Sequence, residues 1–198
     1  TSILGSKPRS VLDIGCGWGK YIEWCSQQGM KVNGLDPSPE SSAYGKSLGL
    51  EVVNCNFEDL LELDVKFDLV VLKNVLEHVI DPISFLKQIY EKYMRKGSVL
   101  QIEVPNEYND FQIAAQKLHG LSEWWVAPPA HLNYFSQETL ENVCHGIGLT
   151  SREARASFPM ELFLLMGRNY VGDSALGAEC HSERKAFEQN MIDCGFAD

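Results

Sequence analysis

The stretch Val11-Leu12-Asp13-Ile14-Gly15-Cys16-Gly17-Trp18-Gly19-Lys20 constrains this chain most. An apolar run breaks into three glycines spaced two apart and passes into Tyr21-Ile22-Glu23-Trp24-Cys25, which reads as strand, glycine loop, helix. That order is the entry to a nucleotide-type site in an open α/β sheet. Glycine has no Cβ, so the loop can turn tightly and a ligand can approach its backbone. The helix that follows presents unpaired N–H groups to whatever sits there. A dinucleotide site wants G-x-G-x-x-G. Here Gly15, Gly17 and Gly19 give G-x-G-x-G, preceded by Asp13 at the strand end. A carboxylate in that place repels a pyrophosphate and suits a ligand with a cationic head.

The rest of the chain continues the alternation of strand and helix. Gly29 stands where a first helix over Gly19 to Gln28 would be capped. Lys31 to Asp36 reads as a second strand ending on an acid, and Asp36 can accept hydrogen bonds from both hydroxyls of a ribose. Pro37-Ser38-Pro39-Glu40 opens the next helix. Glu51 to Cys55 is a third strand, and Phe67 to Leu72 a fourth whose continuous apolar run suits burial on both faces. Ile83 to Lys92 has helical spacing and is expected to stop at Lys96-Gly97, before a fifth strand from Ser98 to Val104. Beyond Pro105 the sheet pattern stops. Residues 106–135 form a lid-like insertion with a helix from Phe111 to His119, and with Trp124 and Trp125 in a proline-rich loop. The two tryptophans are expected over the substrate side of the cleft. Ser136 is an N-cap for a helix ending at His145 and Gly146. Leu149 to Phe158 reads as an edge strand, Pro159 to Tyr170 as an apolar helix, and Cys180 to Met191 as a last helix.

Three separated motifs carry a family resemblance. D-x-G-x-G-x-G at Asp13 to Gly19 resembles the first motif of the class I S-adenosylmethionine-dependent methyltransferases. The strand ending Asp68-Leu69-Val70-Val71-Leu72, followed by Leu76-Glu77-His78-Val79-Ile80-Asp81-Pro82, resembles small-molecule methyltransferases of the ubiquinone-biosynthesis type and their relatives. P-x-H-x-x-Y-F-S-x-x-T-L, from Pro129 to Leu140, resembles the same group. The resemblance spans about residues 10 to 150 and implies a Rossmann-like, doubly wound, mostly parallel α/β sheet with S-adenosylmethionine across its carboxyl ends. Six strands would be parallel, with a seventh antiparallel. Residues 1–198 would be a single methyltransferase domain with 159–198 as a helical extension. No late hairpin follows residue 158, so about six strands are expected here, and the chain is expected to be a piece of a longer protein.

The resemblance also implies roles. Asp13, Gly15, Cys16, Gly17 and Gly19 form the donor loop, Asp36 and Pro37 the ribose end, Asn56 the adenine contact and Phe57 the ring cover. Lys73 and Asn74 supply backbone carbonyls to the methionine amine. Asn56 departs from the family's more usual Asp. An oxygen or carbon acceptor needs a base, and histidine is the side chain that titrates near neutrality. His131 and His78 are the catalytic candidates, with Glu77 a structural or cleft-wall acid. Some ubiquinone-type enzymes use nearby acids for a divalent metal, but Lys73 stands where an extra ligand would be wanted, so no metal is assigned.

Composition narrows the partners. The 198 residues carry a formal net charge of -10, which argues against a binder of phosphate backbones. Nucleic acid is therefore not expected as substrate, nor is a membrane span, since no apolar run is long enough. Six scattered cysteines without a C-x-x-C pair read as reduced thiols in a cytoplasmic protein. The leading reading is methyl transfer from S-adenosyl-L-methionine to O, C or N of a small molecule, with S-adenosyl-L-homocysteine as product. The alternatives are an NAD-type oxidoreductase, disfavoured by the loop spacing and Asp13, and a non-catalytic nucleotide-binding module of the same fold. An exposed sheet edge would invite a homodimer contact.

Overall fold

β1 (Ser10–Ile14) and β4 (Phe67–Lys73) lie side by side at the centre of a parallel sheet. Val11, Leu12, Ile14, Val70, Val71 and Leu72 are fully buried there. Strands covered on both faces need apolar side chains in both directions, which is why these runs barely alternate. The computed structural model describes residues 3–57, 60, 63 and 65–196. Residues 1–2 and 197–198, the ends of the expected single domain over 1–198, lie outside the described residues.

The chain moves outward from β1 in one direction and then in the other. α1 (Lys20–Gln27), β2 (Lys31–Asp36), α2 (Pro39–Ser47) and β3 (Val52–Asn54) build one side. β4, α3 (Pro82–Tyr93) and β5 (Met94–Glu103) build the other. The order across the sheet is β3-β2-β1-β4-β5, with every pairing parallel. The order reverses between β1 and β4, the point at which open α/β sheets form a ligand crevice beyond their carboxyl ends.

Alternate residues of the strands feed two cores. Val11, Val32, Val52, Leu69 and Val71 pack with Ile22, Cys25 and Met30 on one face. Leu12, Ile14, Leu35, Val70 and Leu72 pack with Phe85, Leu86, Ile89 and Tyr93 on the other. The caps follow from sequence. Asp81 accepts from Ser84 N at 3.0 Å with Pro82 in the first turn, opening α3. Ser136 and Thr139 form a capping box that opens α5 (Gln137–Gly146), whose Leu140 and Val143 pack on the second core with Ile147 just beyond its end. Such a cap is worth about 0.5–2 kcal/mol.

Two expectations about the sheet are corrected. The helix before β5 ends at Tyr93 rather than at Lys96-Gly97. Met94 already pairs with Phe67, and Gly97 (φ 89°) lies in a register shift that the pairing Leu69 with Val99 closes. Among the described residues the sheet has five strands, not six or seven, and no strand forms over 149–158. Residues 151–157 are polar or small and exposed, with little apolar surface to bury against a sheet. Leu149 goes instead to the core near α5, and Phe158 to Phe163 and Phe187, at ring separations of 5.7 and 5.1 Å. Among the described residues, 159–196 contain no strand.

The chain's contacts gather into two units, Thr1–Pro105 with Pro129–Arg152 and Asn106–Pro128 with Glu153–Asp198. The segment 106–135 thus divides at Pro128. The second unit holds α4 (Asp110–His119), α6 (Glu161–Leu165) and α7 (Ser174–Asp193). His119 Nε2 lies 2.8 Å from Leu164 O, tying α4 to α6, and Arg168 bonds Glu179 and Glu183 of α7. α6 is shorter than the apolar run around it, because Gly167 (φ 89°) turns the chain and Arg168 N closes on Phe163 O at 2.8 Å.

Candidate active site

The glycine loop sits at the switch point, and its geometry explains two of its glycines. Gly15 has φ 74°, and a Cβ added to it would lie 2.3 Å from Val75 Cγ2 and 3.6 Å from Phe57 Cζ. Only glycine fits where the loop crosses the start of the turn after β4. Gly17 also has positive φ (53°), but an added Cβ would meet nothing within 4 Å. The space beside Gly17 is open. Gly15 N and Cys16 N both donate to Leu35 O, at 2.7 and 3.2 Å, and Gly19 caps α1. The Cys16 thiol is buried, which pushes its titration up to about 12 and keeps it protonated.

Asp36 does more than end β2. It is 6% exposed, its Oδ2 accepts from Gly17 N at 2.7 Å, and its Oδ1 accepts from Ser38 N at 2.9 Å. Each carboxylate oxygen keeps a second lone pair. The acid therefore fixes the loop and still presents acceptors. Its own carbonyl receives Asn54 Nδ2 and Cys55 N, both at 3.0 Å, so β3 is tied to the same corner. Pro37 is exposed beside it.

Asp13 is 3% exposed, and among the described residues it accepts no hydrogen bond. Burial pushes its carboxyl up to about 7, Lys73 opposes the rise, and Asp36 adds to it. Burial of this kind favours the neutral acid, and a nearby cation favours the carboxylate. Lys73 ends β4, and its Nζ lies 3.2 Å from Glu103 Oε2 at the end of β5. Asn74 follows with φ 52°, a conformation asparagine tolerates better than most residues, and its N–H donates to Glu103 O at 2.8 Å. Phe57 lies against Gly15 and 5.9 Å from the Phe85 ring, whereas Asn56 is exposed.

The turn after β4 forms a second corner. Glu77 is 2% exposed, with Oε2 buried and unbonded. His78 Nδ1–H donates to Ala130 O at 2.6 Å, and Nε2 lies 3.9 Å from Glu77 Oε1. The His78 and His131 rings meet edge-on at 5.1 Å, and His131 Nδ1 is buried without a partner. The Glu77 carbonyl accepts from Leu132 N and Asn133 N, at 2.8 and 3.1 Å, while Asn133 Nδ2 bonds Val79 O at 2.6 Å. The 129–135 segment is thus latched onto the turn, which brings the two candidate histidines together from 53 positions apart in sequence. One ligand-type atom from each of Glu77, His78 and His131 lies within 4.8 Å of the others, a spacing that a divalent cation could use. Sequence reading assigned no metal here and gave Glu77 no chemical part. The Glu-His pair after an apolar strand was visible, but its burial and its pairing with His131 were not.

Trp124 and Trp125 belong to the second unit. Their rings meet at 4.7 Å, and Trp125 meets Tyr108 at 5.7 Å.

Comparison with known proteins gives the chain a family. The methyltransferase domain family matches residues 3–154, and the chain belongs to it. Its fold is that of a class I S-adenosylmethionine-dependent methyltransferase. A ubiquinone biosynthesis O-methyltransferase of Methylobacterium sp. (strain 4-46) is 36% identical over 93 residues, covering 42% of this chain and 37% of that protein. The mitochondrial ubiquinone biosynthesis O-methyltransferase of Homo sapiens is 30% identical over 167 residues, covering 75% of this chain and 42% of that protein. The chain thus spans less than half the length of these relatives. The crystal structure of the plantazolicin methyltransferase BpumL with SAH superposes with a TM-score of 0.60 at 21% identity, covering 83% of this chain and 69% of that one. Among the described residues, no helix is long and apolar enough to cross a membrane.

Proposed function

We propose that this chain transfers the methyl group of S-adenosylmethionine to a hydroxyl oxygen of a small molecule. The observation that carries this reading is the corner where Asp36 holds the Gly17 N–H while the unbonded acid Asp13 lies at the next strand's end. Ribose hydroxyls would donate to the remaining lone pairs of Asp36. Phe57 would cover the adenine, with Asn56 at its edge. The methionine ammonium would meet Asp13 and the backbone at Lys73 and Asn74.

Methyl transfer is an in-line displacement. The acceptor oxygen forms a bond to the methyl carbon as the carbon–sulfur bond breaks, and the sulfonium leaves as a neutral thioether. The donor is already activated, so alignment is the protein's main task and can lower the barrier by up to roughly 7–11 kcal/mol. The acceptor proton needs a destination. His131 Nδ1, buried and unbonded beside His78, is the group we assign to receive it, with His78 held through Ala130 as its neighbour. The relatives named as ubiquinone biosynthesis O-methyltransferases support an oxygen acceptor.

The clustering of Glu77, His78 and His131 supports a second reading of that corner. These residues would hold a divalent cation, which lowers the proton affinity of a hydroxyl bound to it. Binding of S-adenosylhomocysteine by calorimetry, then transfer of labelled methyl to a panel of phenols, quinone precursors and sugar nucleotides, tests the proposal. Binding without transfer to any acceptor would leave the non-catalytic module; no binding would remove the donor assignment.

A further inference from the structure

At the carboxyl edge of the sheet, Asp13 of β1 pairs in register with Val71 of β4, and Lys73 follows two positions later, on the same face as Val71. On the other side Asp13 pairs with Gly34, and Asp36 follows two positions later in the same way. One face of three neighbouring strands therefore ends in acid, acid and lysine. The lysine is shared, since its Nζ also pairs with Glu103 Oε2 at 3.2 Å, with the two side chains 44% and 52% exposed.

Resting on the donor site proposed above, we propose that the Lys73 ammonium is the electrostatic partner of Asp13, and that its ion pair with Glu103 sets how strongly it acts. Lys73 is a positioning residue in this account, acting on the donor through Asp13. Asp13 is 3% exposed at the carboxyl end of β1, and burial and the Asp36 charge both favour its protonated form. A neutral acid would offer the donor's ammonium only a dipole. The other titratable groups coupled to Asp13 lie in its loop and in α1, where the Asp13 charge acts on Cys16, Tyr21 and Cys25. All three are pushed upward by burial and stay protonated near neutrality. Among the described groups, that leaves Lys73 as the positive charge found to hold the Asp13 carboxylate ionised.

The consequence is proton-linked donor binding. With Asp13 titrating at about 7, affinity should rise with pH through neutrality, flatten above it, and fall about tenfold per unit well below it. Calorimetric titration of S-adenosylhomocysteine between about pH 5.5 and 8.5 reads this profile. Lys73→Met should move the midpoint up by about one unit and restore wild-type affinity at the alkaline end. Glu103→Gln, a change at an exposed side chain, should move it down, because Lys73 then acts on Asp13 alone. Asp13→Asn should bind weakly with a flat profile. A purely structural role for Lys73 predicts an affinity loss equal at every pH, and that result overturns the proposal. Coincident midpoints for the wild type and both charge variants overturn it too. Binding by the wild type without pH dependence refutes this inference and leaves the donor site standing. No binding at any pH refutes the donor site itself, and the inference with it.

Discussion

The backbone N–H of Gly17 donates to Oδ2 of Asp36 across 2.7 Å, so the loop after β1 is held by the acid that ends β2. Loop shape and the proposed ribose recognition therefore share one carboxylate. Asp36→Ala removes both and should weaken S-adenosylhomocysteine binding by at least ~1.5 kcal/mol, about tenfold in the dissociation constant. Calorimetry checks this, and a thermal melt run beside it separates loss of the ligand contact from loss of the fold.

Gly15 and Gly17 should respond differently to substitution, although both have positive φ. Gly15→Ala drives a Cβ to 2.3 Å from Val75 Cγ2, so it should lower stability by about 1–3 kcal/mol, with part recovered in Gly15→Ala/Val75→Ala. Gly17→Val projects into open space, so it should abolish donor binding while leaving a cooperative melt. Urea unfolding and calorimetry on the same preparations separate the two effects.

His131→Ala should reduce turnover by ~10²–10⁴-fold and leave donor affinity within about a factor of two, if the ring takes the acceptor's proton. Equal losses in both would make it a donor contact. Its neighbours allow a second check. Titration of manganese into the wild type and into Glu77→Gln, followed by its paramagnetic signal, reads the cation reading of this corner directly. Turnover unchanged by a chelator supports the proton-acceptor role.

The sheet's other end should govern acid stability. Asp68 accepts from Arg9 N at 2.9 Å and Ser10 N at 3.2 Å and pairs with Arg95. The Arg9 backbone bond leads in holding its carboxyl below the usual carboxylate range. A depressed folded value means the contribution is present above the unfolded value and is lost as pH falls through the folded one. The gap in urea midpoint between the wild type and Asp68→Asn should be full near neutrality and close as the pH drops below about 4.

Much of this protein was legible in the order of its residues. The strands over Val11 to Ile14 and Val70 to Leu72 were readable because burial on both faces permits only apolar side chains, and that constraint is local. The glycine loop, the acids at 13 and 36, and the caps at Asp81 and Ser136 were readable because each answers a need of the backbone within a few residues of itself. Tertiary structure decided what depends on partners far away in the chain. A stretch such as 149–158 becomes a strand only if a neighbouring edge and a core are there to receive it; here Phe158 found Phe163 and Phe187 instead. Asp13 and Lys73 come to neighbouring strand ends only because β4 lies beside β1. His78 and His131 meet only because the backbone at Leu132 and Asn133 bonds the Glu77 carbonyl. Sequence specifies which side chains can do chemistry, but burial and distance arise from packing, and these set the charge and reach of each group.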